Sequence, residues 1–121
     1  MIGIGVDLVE VDRMRTALER TPGLAARLFT PGERAYAESA RDPAERFAVR
    51  FAAKEAFLKA LGLGLGSVEW HDVEVVRAAS GAPSLVLSGR AAAASAAAGV
   101  TEWKLTLTHT ATMAEAIAVA L

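Results

Sequence analysis

From Ile2 onward the chain alternates with a period of two. Ile2, Ile4, Val6 and Leu8 fall on one face, and Gly3, Gly5, Asp7 and Val9 on the other. This predicts a strand whose second face is bare as far as Asp7. Glycine weakens a strand, so it marks a close approach, either of a ligand or of a tightly packed Ala-rich helix. Two further alternations close the chain. Trp103, Leu105, Leu107 and His109 oppose Lys104, Thr106 and Thr108; Met113, Glu115, Ile117, Val119 and Leu121 oppose four alanines. These predict two strands forming a hairpin. Residues 69–78 and Ser84–Leu87 predict another pair around the turn Ser80-Gly81-Ala82-Pro83. The alternation in 69–78 is imperfect, which predicts a bulge or an offset start.

Helical signals fill the rest. Asp12 is the expected N-cap of a short helix at 13–21. Thr30-Pro31-Gly32-Glu33 is a capping box with proline in the first turn. Asp42-Pro43-Ala44-Glu45 looks like a second one, opening a long helix that Gly62 ends. Ser88 is the expected cap of an Ala-rich helix that stops before Gly99. The order is strand, three helices, two strands, helix, two strands. That predicts an α+β fold with a mainly antiparallel sheet, and 1–121 as a single domain without repeats or linkers.

Composition narrows the class. Hydrophobic residues make up 53%, which argues against disorder. A formal net charge of -1 argues against nucleic acid held by bulk charge. The absence of cysteine removes disulfides, zinc–thiolate sites and thiol catalysis, and fits a cytoplasmic protein. No stretch reads as a signal peptide or a membrane span.

The long helix carries the candidate chemistry. Phe47, Phe51, Leu58 and Gly62 form an apolar seam; Glu55 lies about 40° from Phe51, and Lys59 about 40° further round. Arg46, Arg50 and Lys54 form a basic stripe on the other flank. The plain reading is an i,i+4 ion pair and a solvated face. The alternative joins Glu55 to Asp7. Two carboxylates with nearby cations suit Mg²⁺ that is also held by phosphate oxygens, with Lys59, Arg50 and Lys54 neutralising further phosphates. His71 reads as structural. Gly62–Gly66 is not a P-loop, because no Gly-Lys-Ser/Thr follows it.

Six blocks resemble one family in its own order. They are GIGVDLVEVDRM at 3–14, RLFTPGE at 27–33, RFAAKEAFLKALGLGLG at 50–66, DVEV at 72–75, SGAPSL at 80–85 and LTLTHTATMAEAIAV at 105–119. By these the chain resembles the small bacterial class of 4'-phosphopantetheinyl transferases, the holo-acyl-carrier-protein synthases. The resemblance implies a sheet wrapped around a long central helix. It implies transfer of the phosphopantetheine arm of coenzyme A to a serine of apo acyl carrier protein, with Mg²⁺. It assigns the metal to Asp7 and Glu55, and Lys59 to the pyrophosphate.

It further implies a homotrimer with interfacial active sites. Arg50, Ser80, Gly81, Pro83, His109 and Thr110 would reach a neighbour's coenzyme A, toward its adenine and 3'-phosphate. Gly62, Gly64 and Gly66 would line the pantetheine arm. Arg13, Arg20 and Arg27 would face an acidic carrier protein. Four positions depart from the pattern: Ala82 replaces a frequent turn lysine, Val49 a common glycine, and Thr106 and Thr108 frequent serines. A non-catalytic trimer that binds coenzyme A or carrier protein is the competing reading. The carrier, fatty-acid or polyketide, and the group accepting the serine proton stay open.

Overall fold

The computed structural model describes residues 1–121. Strand β1 (Gly3–Glu10) leads into α1 (Val11–Arg20), α2 (Leu24–Leu28), α3 (Pro31–Glu38) and the long α4 (Pro43–Ala60). A 3-10 turn at Trp70–Asp72 precedes β2 (Val73–Arg77) and β3 (Pro83–Leu87). Helix α5 (Gly89–Ala97), β4 (Trp103–His109) and β5 (Met113–Ala120) complete the chain. The fold is α+β, and both sheets are antiparallel: β1-β5-β4, and the β2-β3 hairpin.

Helix α4 is the centre. The three-stranded sheet covers one side, with α1, α3 and β2 against others. On β1 and β5 the sheet's inner face is made of small residues, while β4 adds Trp103, Leu105 and Leu107 to it. Ala114, Ala116, Ala118 and Ala120 of β5 are buried, as is Gly5. Opposite them stand Ala52, Ala53, Ala56 and Ala60 of α4. A Cβ on Gly3 would lie 1.9 Å from the Ala60 carbonyl oxygen, and one on Gly5 1.9 Å from that of Ala56. Glycine is required here by the close approach of a helix backbone. The packed helix is α4, not the Ala-rich α5 that the sequence suggested.

Most large residues of β1 and β5 point outward instead. Ile2, Ile4, Val6 and Leu8 are about half exposed, and Ile4 pairs with Val119 and Val6 with Ile117. An apolar sheet face therefore lies open on the side away from α4.

Several local expectations are corrected. Helix α1 starts at Val11, so Asp12 sits in its first turn and caps nothing. Only the Thr30–Glu33 capping box forms. Asp42 turns away from α4's amides to take two hydrogen bonds from Arg15, at 2.6 and 3.1 Å. That cross-element bidentate pair is stronger than a local cap. Ser88 makes no side-chain cap. The strand expected from residue 69 starts at Val73, because Trp70–Asp72 coil into the 3-10 turn. Helix α2 was not foreseen; it is only five residues long. The end of α4 is as expected: Gly62 has φ 65°, and amides of Gly62 and Leu63 bond back to Lys59 and Leu58.

The basic stripe is not a solvated face. Lys54 is 0% exposed and donates to Glu33 (2.8 Å) and to the carbonyls of Trp70 (3.0 Å) and Val73 (2.6 Å). Glu33 also accepts from the amides of Thr30 and Val75. This buried pair fastens α3 and the start of β2 to α4. Burial pulls the Lys54 ammonium's pKa down, and Glu33 opposes it.

Candidate active site

The geometry follows from the glycines. Gly3 meets Ala60, and Gly5 meets Ala56. Two residues along a strand advance about as far as one helical turn, so Asp7 arrives beside the turn of α4 that holds Glu55. Both line one groove of about 610 Å³. Phe51 and Trp70, with ring centres 5.2 Å apart, line it too, with Arg13 and Glu10 from the β1–α1 junction.

Lys59 Nζ donates to Asp7 Oδ1 at 2.9 Å and to the Val6 carbonyl at 3.2 Å. It does not form the i,i+4 pair with Glu55. Lys59's pKa is raised, first by the hydrogen bond to Asp7. Glu55 is half-buried without an ion-pair partner, and its carboxyl is raised above the usual range. Burial is the main cause and the Asp7 charge the second, with Lys59 opposing. The arrangement is two neighbouring carboxylates, one of them short of compensating charge, facing an apolar-walled groove. It suits a hard cation and a phosphate ester.

A second cavity of about 600 Å³ opens on the other flank of α4. Arg41, Arg46, Arg50, Arg77 and His109 line it, with Gly81 and Pro83 at the turn. Tyr36, the one tyrosine of the chain, stands among three guanidinium groups. The Arg46, Arg50 and Arg77 carbons lie 3.9, 4.3 and 5.2 Å from its ring centre. Arg50 is 3% exposed, and its Nε has no partner. Its pKa is lowered, chiefly by burial and further by Arg46 and Arg77.

The other expected residues fall as follows. Arg13 lines the carboxylate groove and, with Arg20, an adjoining shallow depression. Arg27 lies in the last turn of α2, exposed, and lines neither cavity. Lys54 reaches neither cavity, so the phosphate role expected of it is not available to it. Gly62, Gly64 and Gly66 face open space, apart from both cavities. Ser80 and Thr110 serve their own turns, accepting from Ala82 and from Thr112 and Met113. His71 bonds the Ala26 carbonyl at 2.7 Å. The sequence reading missed Tyr36, Arg41 and Arg77, which have no local pattern; only the fold collects them.

Residues 3–118 match the model of the 4'-phosphopantetheinyl transferase superfamily. The chain belongs to that superfamily. It is 51% identical over 120 residues to the holo-[acyl-carrier-protein] synthase of Frankia alni, covering 99% of this chain and 97% of that one. Among solved structures, the holo-[acyl-carrier-protein] synthase of Neisseria meningitidis superposes with a TM-score of 0.90 at 29% identity, covering 100% of this chain and 98% of that one. The enzyme of Bacillus anthracis, in complex with CoA (3',5'-ADP), gives 0.81 at 32% identity, covering 98% and 95%. In this chain the β1 glycines bring Asp7 to the turn of α4 that holds Glu55, and the two line one groove.

Proposed function

We infer that the chain is a holo-[acyl-carrier-protein] synthase. It moves the 4'-phosphopantetheine arm of coenzyme A to a serine hydroxyl of apo acyl carrier protein and leaves adenosine 3',5'-bisphosphate. The observation that carries this reading is the meeting of Asp7 and Glu55 at one groove, with Lys59 bonded to Asp7, in a chain so similar to known synthases. Residues 1–121 act as one domain.

In the reaction, the serine oxygen forms a bond to phosphorus and the bond from phosphorus to the departing nucleotide phosphate breaks. The serine proton is released. Lys59 places its ammonium at the groove's edge, where it offsets charge on the pyrophosphate. Phe51 and Trp70 keep that wall apolar, which strengthens the electrostatic contacts made there. Arg13, at the mouth of the groove, meets acidic surface on the carrier, with Arg20 and Arg27 extending the basic side.

The donor set fits Mg²⁺. Asp7 and Glu55 offer hard oxygen ligands, and the raised Glu55 carboxyl is a sign of charge that a cation would balance. No cluster of three such side chains exists, but Mg²⁺ needs only one or two carboxylates when phosphate and water complete its shell. When bound, it would screen the phosphate oxygens and favour in-line displacement.

The reading includes a homotrimer with shared sites. The open apolar face of β1 and β5 supports burial against other copies. The two cavities give a second argument. Arg50 and Glu55 point about 140° apart around α4. A coenzyme A whose pyrophosphate sits by Lys59 therefore finds the arginine cavity on a neighbouring chain. The threefold count rests on the resemblance. A cytoplasmic setting belongs to the same reading; no helix is long and apolar enough to cross a membrane.

The test is to mix the protein with apo carrier protein, coenzyme A and Mg²⁺ and measure the carrier's intact mass. A gain of one phosphopantetheine, lost when the metal is chelated, supports the reading. No gain across several carriers overturns it.

A further inference from the structure

Lys54 is fully buried, yet it lines neither cavity and takes no part in the chemistry assigned above. Its ammonium has three N–H donors and meets three acceptors: Glu33 Oε1 at 2.8 Å, the Trp70 carbonyl at 3.0 Å and the Val73 carbonyl at 2.6 Å. Glu33 is as fully engaged. It accepts from Lys54, from the Thr30 amide at 2.9 Å and from the Val75 amide at 2.8 Å. A buried ion pair is a poor stabiliser, because desolvating both charges offsets much of their attraction. Apolar groups of similar volume often serve stability as well. What this pair supplies, and apolar groups do not, is direction: a fixed point to which chosen carbonyls are tied.

Those carbonyls belong to the 3-10 turn at Trp70–Asp72 and to the first residue of β2. The turn is otherwise loosely tethered to α4. Residues 61–69 run between the two without helix or strand, and Leu65 among them is 74% exposed. No side chain other than that of Lys54 bonds the backbone of Trp70–Asp72. The Trp70 ring lies 5.2 Å from that of Phe51 and lines the groove with Asp7 and Glu55. Phe51 stands one turn before Glu55 on α4, and Lys54 immediately precedes Glu55. Helix α4 therefore grips, through Lys54, the same residue whose ring walls the groove beside Glu55.

We propose that Lys54 is a positioning residue for the transfer: through the Trp70 carbonyl its ammonium holds Trp70 against Phe51 and so sets the shape of the groove at Glu55. This rests on the transferase reading above. Lys54 itself touches neither substrate. Without the ammonium the Trp70 carbonyl loses its tie to α4, and the ring is free to leave Phe51. Contacts to the rest of coenzyme A and to the carrier lie elsewhere, so binding holds while the reacting ends lose their alignment. A misplacement of about 1 Å at a reacting centre can cost roughly 100-fold in rate.

The experiment uses the full-length protein. Trp103→Phe leaves Trp70 as the one tryptophan of the chain, and its emission then reports the groove wall directly. Adding Lys54→Met to that background should shift the emission to the red and strengthen its quenching by acrylamide, with a native circular dichroism spectrum. In the transfer assay kcat should fall roughly 10- to 100-fold, with KM for coenzyme A within about threefold. Trp70→Ala should lower kcat likewise, and Lys54→Met added to it should lower it no further, because both act through one ring. Unchanged quenching or unchanged kcat in a folded Lys54→Met, or losses that multiply in the double variant, make Lys54 merely structural and overturn the proposal. Where Lys54→Met does not fold, Glu33→Gln keeps the shape of the partner and weakens its hold on the ammonium; the same quenching and kcat then decide. If the unmodified protein transfers nothing, the transferase reading fails instead, and the quenching still judges the hold of Lys54 on Trp70.

Discussion

Lys59 donates to Asp7 at 2.9 Å, across from α4 to β1, and leaves Glu55, one turn before it in the same helix, without an ion pair. The lysine therefore bridges the two elements that form the groove. Lys59→Ala removes the ammonium and leaves two carboxylates facing each other without it. We expect kcat/KM for coenzyme A to fall about 10- to 100-fold, with folding retained, since Lys59 is exposed. Steady-state kinetics with circular dichroism checks this.

Gly5 lies under α4 with no room for a side chain. Gly5→Ala puts a methyl carbon 1.9 Å from the Ala56 carbonyl oxygen and 2.6 Å from the Ala60 nitrogen. The helix must shift away from the sheet. The expected cost is at least about 1–3 kcal/mol, read from urea unfolding, and Asp7 moves off Glu55. Transfer activity should suffer even where the variant still folds.

These glycines also show how far the sequence could be read. The alternation in β1, β4 and β5 was plain, and so were the long helix and its glycine stop. The direction of the faces was not. Burial normally draws in Ile and Val, yet on β1 and β5 alanine and glycine face α4 and most larger residues face out, whereas β4 turns Trp103, Leu105 and Leu107 inward. The reason is that the helix backbone must come close enough to set Glu55 beside Asp7. From the residues alone the pairing of Asp7 with Glu55 is one of two readings, and the family blocks favour it. Lys54 was misjudged because its local pattern is that of an exposed stripe. Its partners, Glu33 and the carbonyls of Trp70 and Val73, come from distant segments. The Tyr36 cluster was invisible for the same reason.

The outward face of β1 should hold copies of the chain together. Val6 is 51% exposed and pairs with Ile117 on β5. Val6→Glu places a charge in the middle of that apolar face. Light scattering should then report a species of monomer mass where the unmodified chain gives a larger one. With the sites shared, activity should fall with the mass. A fully active monomer would contradict the shared-site arrangement.

Arg13 lines the mouth of the groove and the depression beside it. Arg13→Glu reverses a charge that the proposed function sets against an acidic carrier. KM for the carrier should rise roughly tenfold and become less dependent on salt, while coenzyme A affinity stays within about twofold. Calorimetry with coenzyme A and kinetics with the carrier separate the two effects. Loss of coenzyme A binding would move Arg13 into the nucleotide site.

The proposed function assigns transfer of the phosphopantetheine arm to the groove between Asp7 and Glu55. Glu55→Gln keeps the shape of the side chain and removes its charge. The direct measurement is the intact mass of apo carrier protein after incubation with this variant, coenzyme A and Mg²⁺, beside a circular dichroism spectrum of the variant. A native spectrum and a carrier that gains no phosphopantetheine are expected. A native variant that loads the carrier as fast as the unmodified protein would contradict that assignment.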